Sequence, residues 1–104
     1  MKKATRASLV KKFTDIPNVG KAMERDFLFL GLKSPSDLKK LDAYTLYQKM
    51  CKKSGVRQDP CVLDTYLAVV DFMNGAPARP WWWYTVDRKI NYPKYKLYAR
   101  NNME

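Results

Sequence analysis

The sequence predicts an all-α fold: a five-helix bundle followed by an aromatic, basic C-terminal extension. Three observations carry that reading. Apolar residues recur at three- and four-residue spacing, as in Tyr66, Val69, Val70 and Met73. Pro, Gly, Asn and Ser punctuate the chain between these stretches. From Ala78 the composition shifts: residues 78–104 hold seven Trp or Tyr, six Lys or Arg and only two acids. The expected division is therefore 1–77 for the bundle and 78–104 for the extension, its first part packed on the bundle.

Residues 6–13 predict a first helix, with Leu9, Val10 and Phe13 on one face and Lys11 and Lys12 pointing away. Pro17 cannot continue a helix and biases Ile16 toward extended backbone. A second helix is expected from Val19 or Gly20 to Leu30, with Met23, Phe27 and Leu30 as its stripe and Gly31 as its stop. A short third helix follows, with Ser34 as cap, Pro35 at the first position and Asp37 near the positive end; it ends near Leu41. Asp42 caps a fourth, at 43–53, with Leu46, Tyr47, Met50 and Cys51 inward and Lys52, Lys53 and Gly55 at its end. Asp59 and Pro60 open the fifth, which runs to Met73 with Val62, Tyr66, Val69, Val70 and Met73 at helical spacing; Asn74-Gly75 stops it. Beyond Ala78 no helical period is visible. Tyr84 and Val86, then Ile90 and Tyr92, alternate weakly, as in a short strand or hairpin, and the last dozen residues read as a loose tail.

A hydrophobic fraction of 46% is ample for a core. Twenty Lys and Arg against ten Asp and Glu give a formal charge of +10, a bias toward polyanions: nucleic acid first, an anionic membrane second. No run approaches the roughly 20 apolar residues of a membrane span, and the basic N-terminus lacks the apolar core of a secretory signal. A cytoplasmic location is the expectation, with no membrane partner.

Catalytic and metal chemistry find little support. The chain has no histidine, and Cys51 and Cys61 alone cannot close a four-ligand zinc site. Asp64 and Asp71 lie seven residues apart on one expected helix, about 10 Å along its axis, too far to grip one metal together. No general base pairs with either thiol. We expect no enzyme, cofactor, metal or small-molecule substrate. In a reducing compartment both cysteines are expected to be reduced and buried. The sharper alternative is a redox pair closing a short loop.

The stretch Ile16-Pro17-Asn18-Val19-Gly20-Lys21-Ala22 is the strongest candidate for a ligand contact. A helix beginning there offers free backbone amides and the positive end of its dipole. Gly20 lets a phosphate oxygen approach closely, Asn18 tolerates left-handed backbone, and Lys21 adds a full charge. Ile16 and Val19 can pack beneath the turn, and Ala22 allows close helix contact. Lys52, Lys53 and Arg57 either touch a second phosphate run or form a solvated basic helix end. Trp81, Trp82 and Trp83 admit three readings: a lid on the bundle, a base-stacking platform, or a hot spot for a protein partner.

The 16–22 stretch resembles the helix-hairpin-helix motif, a loop of the form apolar-Pro-Gly-apolar-Gly followed by a small residue. Asn18 departs from it where glycine is usual. The resemblance implies sequence-nonspecific binding of DNA backbone: Val19, Gly20 and Lys21 donate to phosphate, and Pro17 and Asn18 shape the turn. Many helix-hairpin-helix and related SAM-like units mediate only protein contacts. The Ser54–Pro60 connection, SGVRQDP, lacks the pattern and reads as a degenerate second hairpin, giving a tandem helix-hairpin-helix bundle. More widely, IPNVGKAMERDFLFLGLKSPSDL, LYQKMCKKSGVRQDPCVLDTYLAVVDF and PARPWWWYT, over about residues 9–85, resemble the small bacterial pathogenicity-locus and mitomycin-resistance-type proteins. That likeness implies an all-helical, cytoplasmic protein and names no activity. Duplex DNA is the expected partner. A protein-interaction adaptor and a thiol redox-responsive protein are the alternatives.

Overall fold

The computed structural model describes residues 3–91; the expectation of a loose tail falls on residues outside that range. The architecture is all-α. Four α-helices, α1 (Lys21–Phe29), α2 (Ala43–Ser54), α3 (Pro60–Met73) and α4 (Thr85–Asn91), alternate with 3-10 turns at Ala7–Leu9, Phe13–Asp15, Pro35–Lys40 and Trp81–Tyr84. Among the described residues there is no strand.

Caps explain where the helices begin. The Asp42 carboxylate accepts from the Thr45 amide at 2.9 Å and opens α2. Asp59 accepts from the Cys61 amide at 2.9 Å, with Pro60 at the first position of α3. The Asp37 carboxylate accepts from the Lys33 and Ser34 amides at 2.9 and 3.1 Å and holds the turn around Pro35. Gly31, at φ 92°, ends α1 in the left-handed region, and the Leu32 amide donates back to the Phe27 carbonyl.

The expected first helix is not continuous. It resolves into two 3-10 turns separated by extended backbone at Val10. The Asp15 carboxylate reaches back to the Lys11 and Lys12 amides at 3.0 and 3.1 Å. That local side-chain bond competes with helix propagation and restarts the chain as a capped turn. Phe13 is buried as a result, while Leu9 stays half exposed.

The α3 helix is the centre of the molecule. Every residue from Leu63 to Val70 is buried, with Phe72 and Met73 beyond them. It packs against α2, the Pro35–Lys40 turn, the Trp81–Tyr84 turn and α4. Phe27 of α1 bridges Phe13 and Tyr66, its ring centroid 5.3 and 5.8 Å from theirs. Ile16, Val19, Leu30, Leu38, Leu46 and Tyr47 complete the same core.

The weak alternation after Tyr84 does not make a strand or hairpin. Residues 81–91 are helical, because Thr85 and Arg88, one helical turn apart, both reach Asp64 on α3. That anchor decides the conformation, and Val86 and Ile90 are left facing outward.

Candidate nucleic-acid interface

The Ile16–Val19 segment is a tight turn. The Val19 amide donates to the Ile16 carbonyl at 3.1 Å, and Asn18 has φ 75°. Pro17 at the second position and positive φ at the third define a type II turn, which explains both residues. Ile16 and Val19 are fully buried beneath it, so the turn is fixed from below.

Gly20 then caps α1 in extended backbone, φ −103°, with no side-chain cap. It differs from Gly31, Gly55 and Gly75, which all have positive φ. Its conformation is open to any residue, and a Cβ built on it would meet no atom within 4 Å. Nothing inside the protein demands glycine there. The helices α2 and α3 each begin with an aspartate carboxylate over their amides; α1 begins bare.

A cleft of about 310 Å³ lies at this helix start, lined by Lys3, Lys12, Thr14, Val19, Gly20, Lys21 and Glu24. Three cations outnumber the one acid. Lys3, which the sequence reading did not single out, donates its ammonium to the Thr14 carbonyl at 2.6 Å and to the Val19 carbonyl. The adjacent Ala4 amide donates to the Asp15 carbonyl at 2.8 Å and lays the N-terminal segment along the turn.

The structure brings only part of the expected basic set together. Lys21 stands at the loop and is exposed. Ala22 is exposed as well, on the outward side of the first turn, so it does not make the close helix contact expected of it. Lys53 places its ammonium 5.0 Å from the centre of the Phe29 ring, at the far end of α1. Eight residues separate Lys21 from Phe29, a rise of about 12 Å. Lys52 and Arg57 are exposed near the C-terminal end of α2.

The tryptophans divide. Trp81 is half buried, Trp82 and Trp83 are 61% and 51% exposed, and Tyr84 is 2% exposed. Tyr84 therefore seals the bundle at this turn, and burial pushes its hydroxyl above the ordinary tyrosine value. The Arg79 guanidinium sits 4.1 Å from the Trp83 ring centre and donates to the Tyr84 hydroxyl at 3.3 Å. The Asn18 side-chain amide donates to the Arg79 carbonyl at 2.8 Å and joins the loop to the aromatic turn. This link spans 61 residues of sequence, and no local pattern could have announced it.

Both cysteines are free thiols. Cys51 is buried and its sulfur accepts from the Gln58 amide at 3.4 Å. Cys61 was expected to be buried and is exposed, because the second position of α3 faces outward. Its hydrogen bond with the Asp59 carboxylate, with burial adding a smaller push, raises the thiol above its usual range. Among the described residues no three of His, Cys, Asp and Glu cluster to hold a metal, and no helix is long and apolar enough to cross a membrane.

These features define a small all-α protein with a bare, lysine-lined helix start beside an exposed aromatic turn. The chain belongs to the Pathogenicity locus (Cdd1) family, whose sequence model matches residues 6–90. The match reaches past the expected limit near residue 85 and takes in nearly all of α4. The chain is also similar to "Mitomycin resistance protein McrB" of Streptomyces lavendulae, 43% identical over 76 residues, which are 73% of this chain and 72% of that one. No solved structure matches.

Proposed function

We propose that this protein is a non-enzymatic, cytoplasmic binder of DNA backbone, acting without sequence preference through a helix-hairpin-helix loop at residues 17–22. Gly20 carries the reading. An exposed glycine with ordinary backbone and open space around it, at an uncapped helix start, is explained by close approach from outside.

Pro17 and Asn18 set the turn. Gly20 and Lys21 present their amides to a phosphate at the positive end of the α1 dipole; the Val19 amide, expected to join them, is already donated to the Ile16 carbonyl within the turn. Ala22 leaves the outward side of the first turn unobstructed. Lys3, Lys12 and Lys21 supply the charge. Lys52, Lys53 and Arg57, beyond the other end of α1, serve a second stretch of phosphate. If about five phosphates are neutralised, affinity falls roughly 500-fold between 50 and 200 mM salt.

The test compares wild type with Gly20→Glu for binding to labelled duplex across a salt series. The open space at Gly20 accommodates the new side chain, so the variant folds, which circular dichroism checks. A tenfold or greater loss of affinity supports the reading; equal binding rules out the loop. A second reading, a protein-interaction adaptor, is favoured by the exposed apolar residues Trp82, Trp83, Val86 and Ile90. It expects a protein partner bound tightly and DNA only weakly.

A further inference from the structure

We propose that Trp82, beside the Arg79–Trp83 pair, is a stacking platform for an unpaired base, so that the DNA held by the loop is duplex adjoining a single-stranded gap. The inference rests on the DNA-backbone reading and names the form of DNA that the protein takes.

Successive side chains on a 3-10 turn point about 120° apart, and residues three apart eclipse. Trp81 and Tyr84 share the inward side, half buried and fully buried. Trp82 and Trp83 are thereby turned outward; Trp83 packs under Arg79 and edge-on to Tyr84, with ring centres 5.1 Å apart. Trp82 is 61% exposed and has no ring partner among the described residues.

The charge beside it matches a nucleotide. Arg79 is fixed at three points: its guanidinium lies over Trp83 and donates to the Tyr84 hydroxyl, and its carbonyl accepts from Asn18. Asn18 is two residues from Gly20. The Asn18–Arg79 bond thus ties the loop proposed to hold a phosphate to the turn that carries Trp82. A base inside a duplex is already stacked and would have to leave its neighbours to reach an indole. An unpaired base carries no such penalty. One aromatic contact is worth roughly tenfold to a hundredfold in affinity.

The experiment measures binding of the whole chain to an intact duplex and to the same duplex with a short oligothymidine gap. Tryptophan emission is followed at the same time, and all three tryptophans of the chain lie at 81–83, so any quenching reports on this turn. The expected result is at least roughly tenfold preference for the gap, with quenching. Trp82→Ala should abolish the preference and leave intact-duplex affinity unchanged, while Trp82→Phe should keep most of it. Equal affinity for the two DNAs, absence of quenching, or a preference that survives Trp82→Ala overturns the proposal. Self-association lost in Trp82→Ala, without gap preference, assigns this face to a second copy of the chain and also overturns it. If Gly20→Glu loses duplex binding and no gap preference exists, the loop reading stands and the stacking proposal falls. If wild type binds neither DNA, both fall.

Discussion

Asp64 and Arg88 form a buried ion pair that joins the central helix to the last described one. The Asp64 carboxylate, 0% exposed, accepts from Arg88 Nε at 2.7 Å and from Nη2 at 3.3 Å, and the Thr85 hydroxyl donates to it at 2.8 Å. Neither charge would be tolerated there alone, because desolvation is repaid only by close, complete pairing. Asp64→Leu should destabilise the protein by about 3–5 kcal/mol, since it strands a buried guanidinium. Asp64→Leu with Arg88→Met should recover most of the loss. Urea unfolding of both single variants and the double measures this. Additive losses would show that the pair is not the anchor.

Tyr66 presents the opposite case. Its hydroxyl is buried with no hydrogen-bond partner among the described residues, and burial, with Asp26 adding to it, pushes its ionisation well above the ordinary value. Tyr66→Phe removes an unsatisfied polar atom and keeps the ring contact with Phe27. It should stabilise the fold by about 1 kcal/mol. Loss of stability on thermal unfolding would mean that the hydroxyl has a partner.

The two thiols should react very differently. Cys51 is buried and should resist alkylation in the folded protein. Cys61 is accessible, but its raised pKa leaves less thiolate at neutral pH than a free cysteine has. Asp59→Asn keeps a capping side chain and removes the charge, so it should speed iodoacetamide labelling of Cys61. A rate at Cys61 above that of free thiol in wild type would contradict this account.

Acid should weaken the fold through its caps. Backbone amides hold Asp15, Asp37 and Asp59 below the usual carboxylate range, with Lys11, Lys33 and Cys61 as the respective leading donors. Each folded pKa lies below its unfolded value. The stabilisation is therefore complete above the unfolded value, about 4, and is lost as pH falls through the folded one. Asp26, raised by burial, runs the other way and gains stability on protonation. Thermal unfolding from neutral pH to pH 3 should show a decline beginning near pH 4. In Asp37→Asn the curve should start lower and fall less steeply.

The parts of this molecule that were legible in the sequence are those decided locally. Asp42, Pro60 and the Ser34–Asp37 pair mark helix starts by contacts within three residues, and the structure places them as read. Pro17-Asn18 announced its turn for the same reason. The first helix was misread because the spacing of Leu9, Val10 and Phe13 suits a helix, while the deciding bond comes from Asp15 behind them. The α4 helix was missed because its conformation depends on Asp64, which in sequence is one acid among ten. The candidate site divides in the same way: the turn was visible, whereas Lys3 and Arg79 reach it only through the tertiary fold.

The Asp64–Arg88 pair also governs the order in which the chain can mature during synthesis. Translation delivers α3 well before residue 88, and N-terminal segments begin to organise first. Until Arg88 emerges, the nascent chain carries an unmatched carboxylate in its central helix. Final consolidation is therefore deferred until Arg88 is available, and a product truncated before α4 would be an open, protease-sensitive species that quality control can tell from the consolidated fold.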